Sequence, residues 1–284
     1  MARLNRVIDG LAAGEHVFAA FAPAEPAAAV EFGTSDYDAV VFETEHKPFD
    51  VPALRDSLQY LLNRRQIFTA DSLAPAVAPL VRIPVNGAEK AQWQAKQALD
   101  LGAYGIVWPH IARVEEAYNA VAACRYPRLP DHSRYEPAGL RGDGPAAAAR
   151  YWGVTNNEYY ERADVWPIDP DGEILVAIMI EDQLGIENLP RILDEVPGIG
   201  LVLIGEGDMS QELGIPRQYE HPRMRECKGR ILDVCGDRGV AVGHPHVTAD
   251  NVEQVLADGY RFLMSAPVRT HPGLDAARRL TGRG

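Results

Sequence analysis

Leu175-Val176-Ala177-Ile178-Met179-Ile180-Glu181-Asp182 is the stretch on which the fold turns. Six apolar residues in succession, with no polar alternation, describe a strand buried on both faces, as in a parallel sheet covered by helices. Residues 184–196 follow with apolar positions three and four apart, the spacing of an amphipathic helix. Pro197-Gly198 ends that helix, since glycine accepts the left-handed turn at a helix C-terminus, and Leu201-Val202-Leu203-Ile204 begins the next apolar run. Strand, helix, glycine and strand make one βα repeat, the crossover that parallel neighbours require.

The repeat extends both ways. Apolar strand runs over 16–22, 39–44, 79–84 and 105–109 precede it, and runs over 240–243 and 261–265 follow. Helical spacing occupies 51–63, 89–101, 114–124, 224–238 and 249–257, and Gly102, Gly239 and Gly259 repeat the helix–glycine–strand junction. Eight strands in this alternation predict an α/β chain closed as a (β/α)8 TIM barrel. A doubly wound open sheet is the alternative, although no GxGxxG follows the first strand. There is no linker and no repeat with a period of about 20–50 residues, so residues 1–284 are expected to form one barrel domain. Two stretches interrupt the rhythm: 64–78, and the Pro-, Gly- and Arg-rich 126–144 that leads into an Ala-rich helical segment over 145–162. Connections of this length are usually functional loops or subunit contacts.

The 284 residues are 46% hydrophobic and 24% charged, with a formal net charge of -12. A nucleic-acid partner would require a basic stripe to displace counterions, and none is present. Arg278, Arg279 and Arg283 form the one basic cluster and read as a solvated helix end. No run nears the roughly 20 apolar residues of a membrane helix, and residues 1–14 lack the apolar core of a signal peptide. Cys124, Cys227 and Cys235 are odd in number and far apart, as free thiols in a reducing cytoplasm would be. The expectation is a cytoplasmic protein acting on small molecules, with neither a nucleic-acid nor a membrane partner.

In a parallel barrel the reactive residues stand at the C-terminal ends of the strands. Those positions hold Glu43-Thr44-Glu45-His46 after the second strand, Arg82 after the third and Trp108-Pro109-His110 after the fourth. Glu181-Asp182, Gly205-Glu206-Gly207-Asp208 and His244-Pro245-His246 close the fifth, sixth and seventh. Alone, each reads as a helix cap, an ion-pair partner or an ordinary polar residue; their convergence on one face gives them chemical meaning. Glu181 and Asp208, on adjacent strands, can share a hard divalent cation whose remaining positions stay open, which suits Mg2+ or Mn2+. A 2-oxo acid could chelate that ion, Arg82 would help to stabilise the enolate formed when a C3–C4 bond breaks, and His46, oriented by Glu43, would take the C4 hydroxyl proton.

Several stretches in this order carry a resemblance: Ser35-Asp36-Tyr37-Asp38-Ala39-Val40-Val41 leading to Glu45-His46, then Val81-Arg82-Ile83-Pro84 and Leu99-Asp100-Leu101-Gly102-Ala103. Arg125-Tyr126-Pro127, Gly139-Leu140-Arg141-Gly142-Asp143-Gly144-Pro145, Ile180-Glu181 and Gly205-Glu206-Gly207-Asp208-Met209-Ser210 with Leu213-Gly214 complete it. From about Val17 to Pro267 the chain resembles the HpcH/HpaI aldolase family, the metal-dependent 2-oxo-acid aldolases and their citrate-lyase-β-like relatives. The resemblance implies a carbon–carbon lyase and metal ligands at Glu181 and Asp208. It also implies a substrate arginine at Arg82, a catalytic histidine at His46, and a substrate carboxylate received by the amides of Gly207 and Asp208. Co2+ and Zn2+ join Mg2+ and Mn2+ as candidate ions. The partners implied are a 2-oxo acid, an aldehyde and further copies of the chain, as a hexamer or a trimer of dimers with a swapped C-terminal helix.

The departures define the open questions. Glu43 replaces the usual Asp, Met179 a common Gln two residues before the metal Glu, and Glu206 the Pro of a GPxD turn, adding an acid beside the metal. His110 is expected to bind substrate. His244 and His246 form an HxH on one strand face, a spacing that can also serve Zn2+, though one lining the pocket and the other packing is preferred. The main reading is cleavage or formation of a 4-hydroxy-2-oxo acid through a pyruvate enolate. The alternative is a metal-dependent oxaloacetate decarboxylase that traps the enolate, like macrophomate synthase. A non-catalytic barrel is disfavoured by the full residue set, and CoA-ester chemistry by the absence of a basic patch.

EDTA is expected to abolish pyruvate release, with Mg2+ or Mn2+ restoring it. Borohydride with substrate should leave the protein mass unchanged, and a trapped lysine adduct would point to Schiff-base chemistry instead.

Overall fold

The computed structural model describes residues 2–265 and 271–283; Pro267, where the resemblance ends, lies outside them. Nine parallel strands occur: β1 Val17–Pro23, β2 Ala39–Glu43, β3 Ala78–Arg82, β4 Gly105–Trp108, β5 Val165–Trp166, β6 Ile174–Ile180, β7 Leu201–Ile204, β8 Ala241–His244 and β9 Phe262–Ser265. Eight of them close a ring in the order β1-β2-β3-β4-β6-β7-β8-β9, with β4 paired to β6 and β9 to β1. The two-residue β5 flanks the start of β6. The closed (β/α)8 barrel is therefore present, and the open sheet is excluded. All eight predicted strands are found, displaced by two residues or fewer at either end. Their residues are buried almost throughout, because side chains that alternate inward and outward meet the barrel interior on one side and helices on the other.

The helices follow the apolar spacing, with the predicted 184–196 observed as Gln183–Glu195 and 224–238 as Pro222–Gly236. Gly102, Gly198, Gly239 and Gly259 all have positive φ, as the junction reading requires. The 145–162 segment breaks into Ala146–Trp152 and Asn156–Arg162. Gly153 turns left-handed between them, and Thr155 with Glu158 caps the second helix. Several short helices lack a readable period, among them Arg6–Ala12, Pro26–Gly33, Arg64–Thr69 and Glu206–Glu212.

One end of the barrel is sealed. Asn5, fully buried, caps the Arg6–Ala12 helix and bonds the carbonyls of Tyr104 and Glu173 at the N-terminal ends of the strands, while Leu4, Val7 and Ile8 enter the core. Arg278 and Arg283 correct the solvated-end reading, while Arg279 is exposed as that reading expects. Arg283 pairs with Asp38 at 2.8 Å just before β2 and donates to the His16 carbonyl, and Arg278 reaches the Asp36 carbonyl. The Pro272–Leu280 helix packs on its own barrel beside β9. Residues 126–144 are likewise tied down, since buried Arg125 bonds Asp164 at 2.7 Å and the carbonyls of Arg134 and Pro137. With that end closed, the strands' C-terminal ends are left to form a site.

Gly102 caps the Trp93–Leu101 helix at φ 115°, and a Cβ there would lie 2.7 Å from the Tyr151 ring. Gly102→Ala combines about 1–2 kcal/mol of left-handed strain with about 1–3 kcal/mol of overpacking. Its urea midpoint is expected to fall accordingly with the barrel still formed, and an unchanged midpoint would contradict this junction.

Candidate active site

Register builds the site. Glu43 and Arg82 are paired residues of β2 and β3, so both side chains reach the barrel mouth together. Ile180 pairs with Ile204, which places Glu181 beside Gly205 one residue further along. That glycine is required by space: a Cβ on it would lie 2.3 Å from both Cγ and Oε2 of Glu181. Glu181 is 3% exposed and accepts the backbone N–H of His110 at 2.8 Å. His110 itself holds a left-handed φ of 52°, uncommon for a residue with a Cβ and a feature that gathers at functional sites.

Ligating atoms of His110, Glu181 and Asp208 lie within 4.8 Å of one another. Glu181's carboxyl is pushed up to about 7 by burial, with the His110 imidazole opposing and the acids Glu45 and Asp208 reinforcing. His110 is raised to about 9, chiefly by its hydrogen bond to Glu45, at 3.3 Å, with burial opposing and Glu181 adding.

Arg82 is the cation of the site. Its guanidinium bonds Glu43, lies 3.0 Å from Glu45 and stacks 4.4 Å above the Phe21 ring. Its Nε is buried without a protein acceptor among the described residues, whereas Glu45 Oε2 is answered by the Arg82 ion pair. Such an unpaired buried donor is costly, so a substrate or solvent partner is expected there. Four carboxylates, from Glu43, Glu45, Glu181 and Asp208, gather about the Arg82 guanidinium and the His110 imidazole, with the exposed His46 ring 3.7 Å from Glu45. That excess of negative charge, with oxygen donors dominating, fits a divalent cation at Glu181 and Asp208.

Not every expected contact forms. Glu43 accepts the backbone N–H groups of Glu45 at 2.7 Å and His46 at 3.2 Å, but its carboxylate is otherwise given to Arg82. The His46 ring is 64% exposed, and its acidic neighbour is Glu45 at 3.7 Å. Glu45, bridging Arg82 and His110, stood among the strand-end residues of the sequence without a role; its place between Glu43 and His46 in a run of acids was the available signal. Gly207 and Asp208 open the Glu206–Glu212 helix ahead of its first internal bond, Met209 N–H to Gly205 O, so their amides are unpaired within it. Met179 places its sulfur 3.8 Å from Arg82.

Glu206 does not stand beside the metal position as expected. Its carboxylate, 1% exposed, turns to Lys228 at 2.9 Å and to His246 at 2.7 Å. Burial would raise it, but His246, His244 and Lys228 prevail and hold it at about 2. His244 is buried and lowered to about 4 by desolvation. The HxH pair thus serves an ion-pair cluster, outside the group that gathers around Glu181.

The profile of the HpcH/HpaI aldolase/citrate lyase family matches residues 18–266. A hydroxypyruvate/pyruvate aldolase from Roseobacter denitrificans is 30% identical over 266 residues, 93% of this chain and 91% of that protein. A 2-keto-3-deoxy-L-rhamnonate aldolase from Salmonella dublin is 32% identical over 236 residues, 81% of this chain and 74% of that one. Among solved structures, an HpcH/HpaI aldolase/citrate lyase family protein from Burkholderia cenocepacia superposes with a TM-score of 0.75 at 24% identity, covering 98% and 96% of the two chains. Macrophomate synthase superposes at 0.65 with 21% identity, covering 98% and 86%. At these identities the structures show the shared fold.

Gly205→Ala is expected to displace Glu181 and weaken Mn2+ binding by roughly 10- to 100-fold, the scale of losses from disturbing a ligand's support, while circular dichroism stays unchanged. Glu181 carries a proton below about 7 that an incoming ion must displace. Mn2+ affinity should therefore fall with pH below that value, by up to about tenfold per unit. Calorimetric titration measures both, and a pH-independent affinity would remove Glu181 from the ligand set.

Proposed function

Because the chain belongs to the HpcH/HpaI aldolase/citrate lyase family and is a carbon–carbon lyase, we propose that it is a divalent-metal-dependent aldolase, cleaving or forming a 4-hydroxy-2-oxo acid through a pyruvate enolate. The observation that carries this reading is the buried Glu181, gathered with His110 and Asp208 at the C-terminal end of the barrel, with Glu45 linking His110 to Arg82. The named aldolase relatives support a pyruvate-type substrate.

In this reading Glu181 and Asp208 hold the cation, Mg2+ or Mn2+ by their oxygen-rich character and Co2+ or Zn2+ as substitutes. When bound, the ion supplies electrophilic stabilisation at the reacting keto oxygen. Arg82 is fixed by Glu43, Glu45 and the Phe21 face, so its free Nε–H can meet developing oxyanion charge without reorganising. The amides of Gly207 and Asp208 receive the substrate carboxylate. His110, kept protonated by Glu45, donates to the substrate in preference to ligating the ion. His46 accepts the C4 hydroxyl proton, and Glu43 holds its backbone through the peptide N–H. We further propose one barrel domain working as a homo-oligomer in the cytoplasm. The exposed Phe68, 77% accessible, and Leu73 in the 64–78 connection suit a contact between copies.

One observation favours a second reading, oxaloacetate decarboxylation. The enolate-stabilising groups are tightly bonded together, whereas the His46 ring is exposed and 3.7 Å from Glu45. Decarboxylation passes through the same enolate and needs no base at C4.

His46→Ala is expected to slow cleavage of 4-hydroxy-2-oxo acids by about 100- to 10,000-fold, the usual worth of general-base catalysis, and to slow oxaloacetate decarboxylation far less. Arg82→Ala should depress both by about 100- to 1,000-fold. Steady-state pyruvate release from both substrates measures this. Equal losses for His46→Ala would assign it to positioning, and an intact aldolase rate would remove it from the mechanism.

A further inference from the structure

The Glu206–Glu212 helix carries Asp208, yet it has only seven residues, and Gly205 at its N-cap offers no side-chain cap. Helices this short are marginal by themselves, so tertiary tethers must set where this one begins. The tether is visible in its first residue. Glu206 buries its carboxylate completely and divides it between two other elements: Oε1 takes Lys228 of the Pro222–Gly236 helix at 2.9 Å, and Oε2 meets His246 after β8 at 2.7 Å.

Both partners are braced in turn. The His246 ring stacks on Tyr219 with centroids 4.8 Å apart, its carbonyl accepts Asn251 at 3.0 Å, and its N–H bonds His244 Nδ1 at 3.2 Å. His244 packs edge-on to Tyr260 and lies 3.8 Å from Glu206 Oε1. The Lys228 side chain is buried, and an ammonium there has no role unless a carboxylate faces it. None of these groups belongs to the cluster at Glu181. Proline at this position would fix the first helical φ covalently. This chain reaches the same end through an ion-paired cluster.

We propose that Glu206, Lys228 and His246 are positioning residues that fix the first turn of the Glu206–Glu212 helix and so set the reach of Asp208 toward the divalent cation. The inference rests on the metal reading above. The carboxylate at the first position also suits the positive end of the helix, while its two bonds hold that turn against the Pro222–Gly236 helix and the β8 loop.

Mn2+ affinity by calorimetry, with kcat and KM measured separately, tests the proposal on the full chain. E206Q and K228M are each expected to raise the Mn2+ Kd by roughly 10- to 100-fold, the scale seen when the support of a metal ligand is lost, with KM for substrate following at limiting metal and kcat partly recovering at saturating Mn2+. K228R, which keeps the charge, should stay within about threefold. In E206P/K228M, proline replaces the tether and removes the buried charge, so affinity should recover beyond that of E206A/K228M. This pair also reads the question if E206Q does not fold. Wild-type affinity in folded E206Q or K228M, or no difference between the two double variants, overturns the proposal. D208A separates the two readings: unchanged Mn2+ binding in D208A defeats the metal assignment itself, whereas loss in D208A but not in E206Q defeats only the tether.

Discussion

A buried carboxylate whose nearest cation, the His110 imidazole 4.0 Å away, does not offset its burial shapes this molecule's active end. Glu181 stands at the C-terminus of β6, almost inaccessible, and receives one backbone N–H from His110. Burying a carboxylate costs several kcal/mol unless positive charge or hydrogen bonds answer it, and the surroundings read as that answer. Gly205 gives up its side chain to make room, and His110 bends into a left-handed backbone to aim its amide. Asp208 comes within reach from a separate short helix. The remaining negative charge is what makes a divalent ion fit.

The barrel supplies this arrangement through register. Pairing of Glu43 with Arg82, and of Ile180 with Ile204, brings residues distant in sequence to one rim with no loop needed to carry them. Rigid strands are the better platform for such groups, since small displacements of a catalytic donor are expensive. The opposite end contributes by closure, as Asn5 and Arg283 tie both chain ends beneath the strands.

Much of this was legible. Near-continuous apolar runs such as Leu175–Ile180, set between amphipathic helical stretches, read as doubly buried strands, and the helix–glycine junctions marked where each begins. Arg82, Glu181 and Asp208 were legible as strand-end polar residues, and the structure brings them to one rim. Contacts that depend on side-chain direction were not. Glu43 lies three residues before His46 and reads as its partner, but pairing with β3 directs its carboxylate to Arg82. Glu45 sits past the strand, where the alternation rule no longer says which way a side chain points. Glu206 read as an acid beside the metal because it is two residues from Asp208; at the start of a helix, two residues is over half a turn, and it faces Lys228 instead.

Anomalous diffraction from crystals grown with Mn2+ and oxalate, a planar mimic of the pyruvate enolate, locates the ion and the enolate position together. A manganese peak is expected in contact with one carboxylate oxygen each of Glu181 and Asp208, with oxalate chelating it and reaching Arg82. A peak at His244 and His246, or oxalate bound away from Arg82 with no metal at Glu181, would contradict the metal assignment.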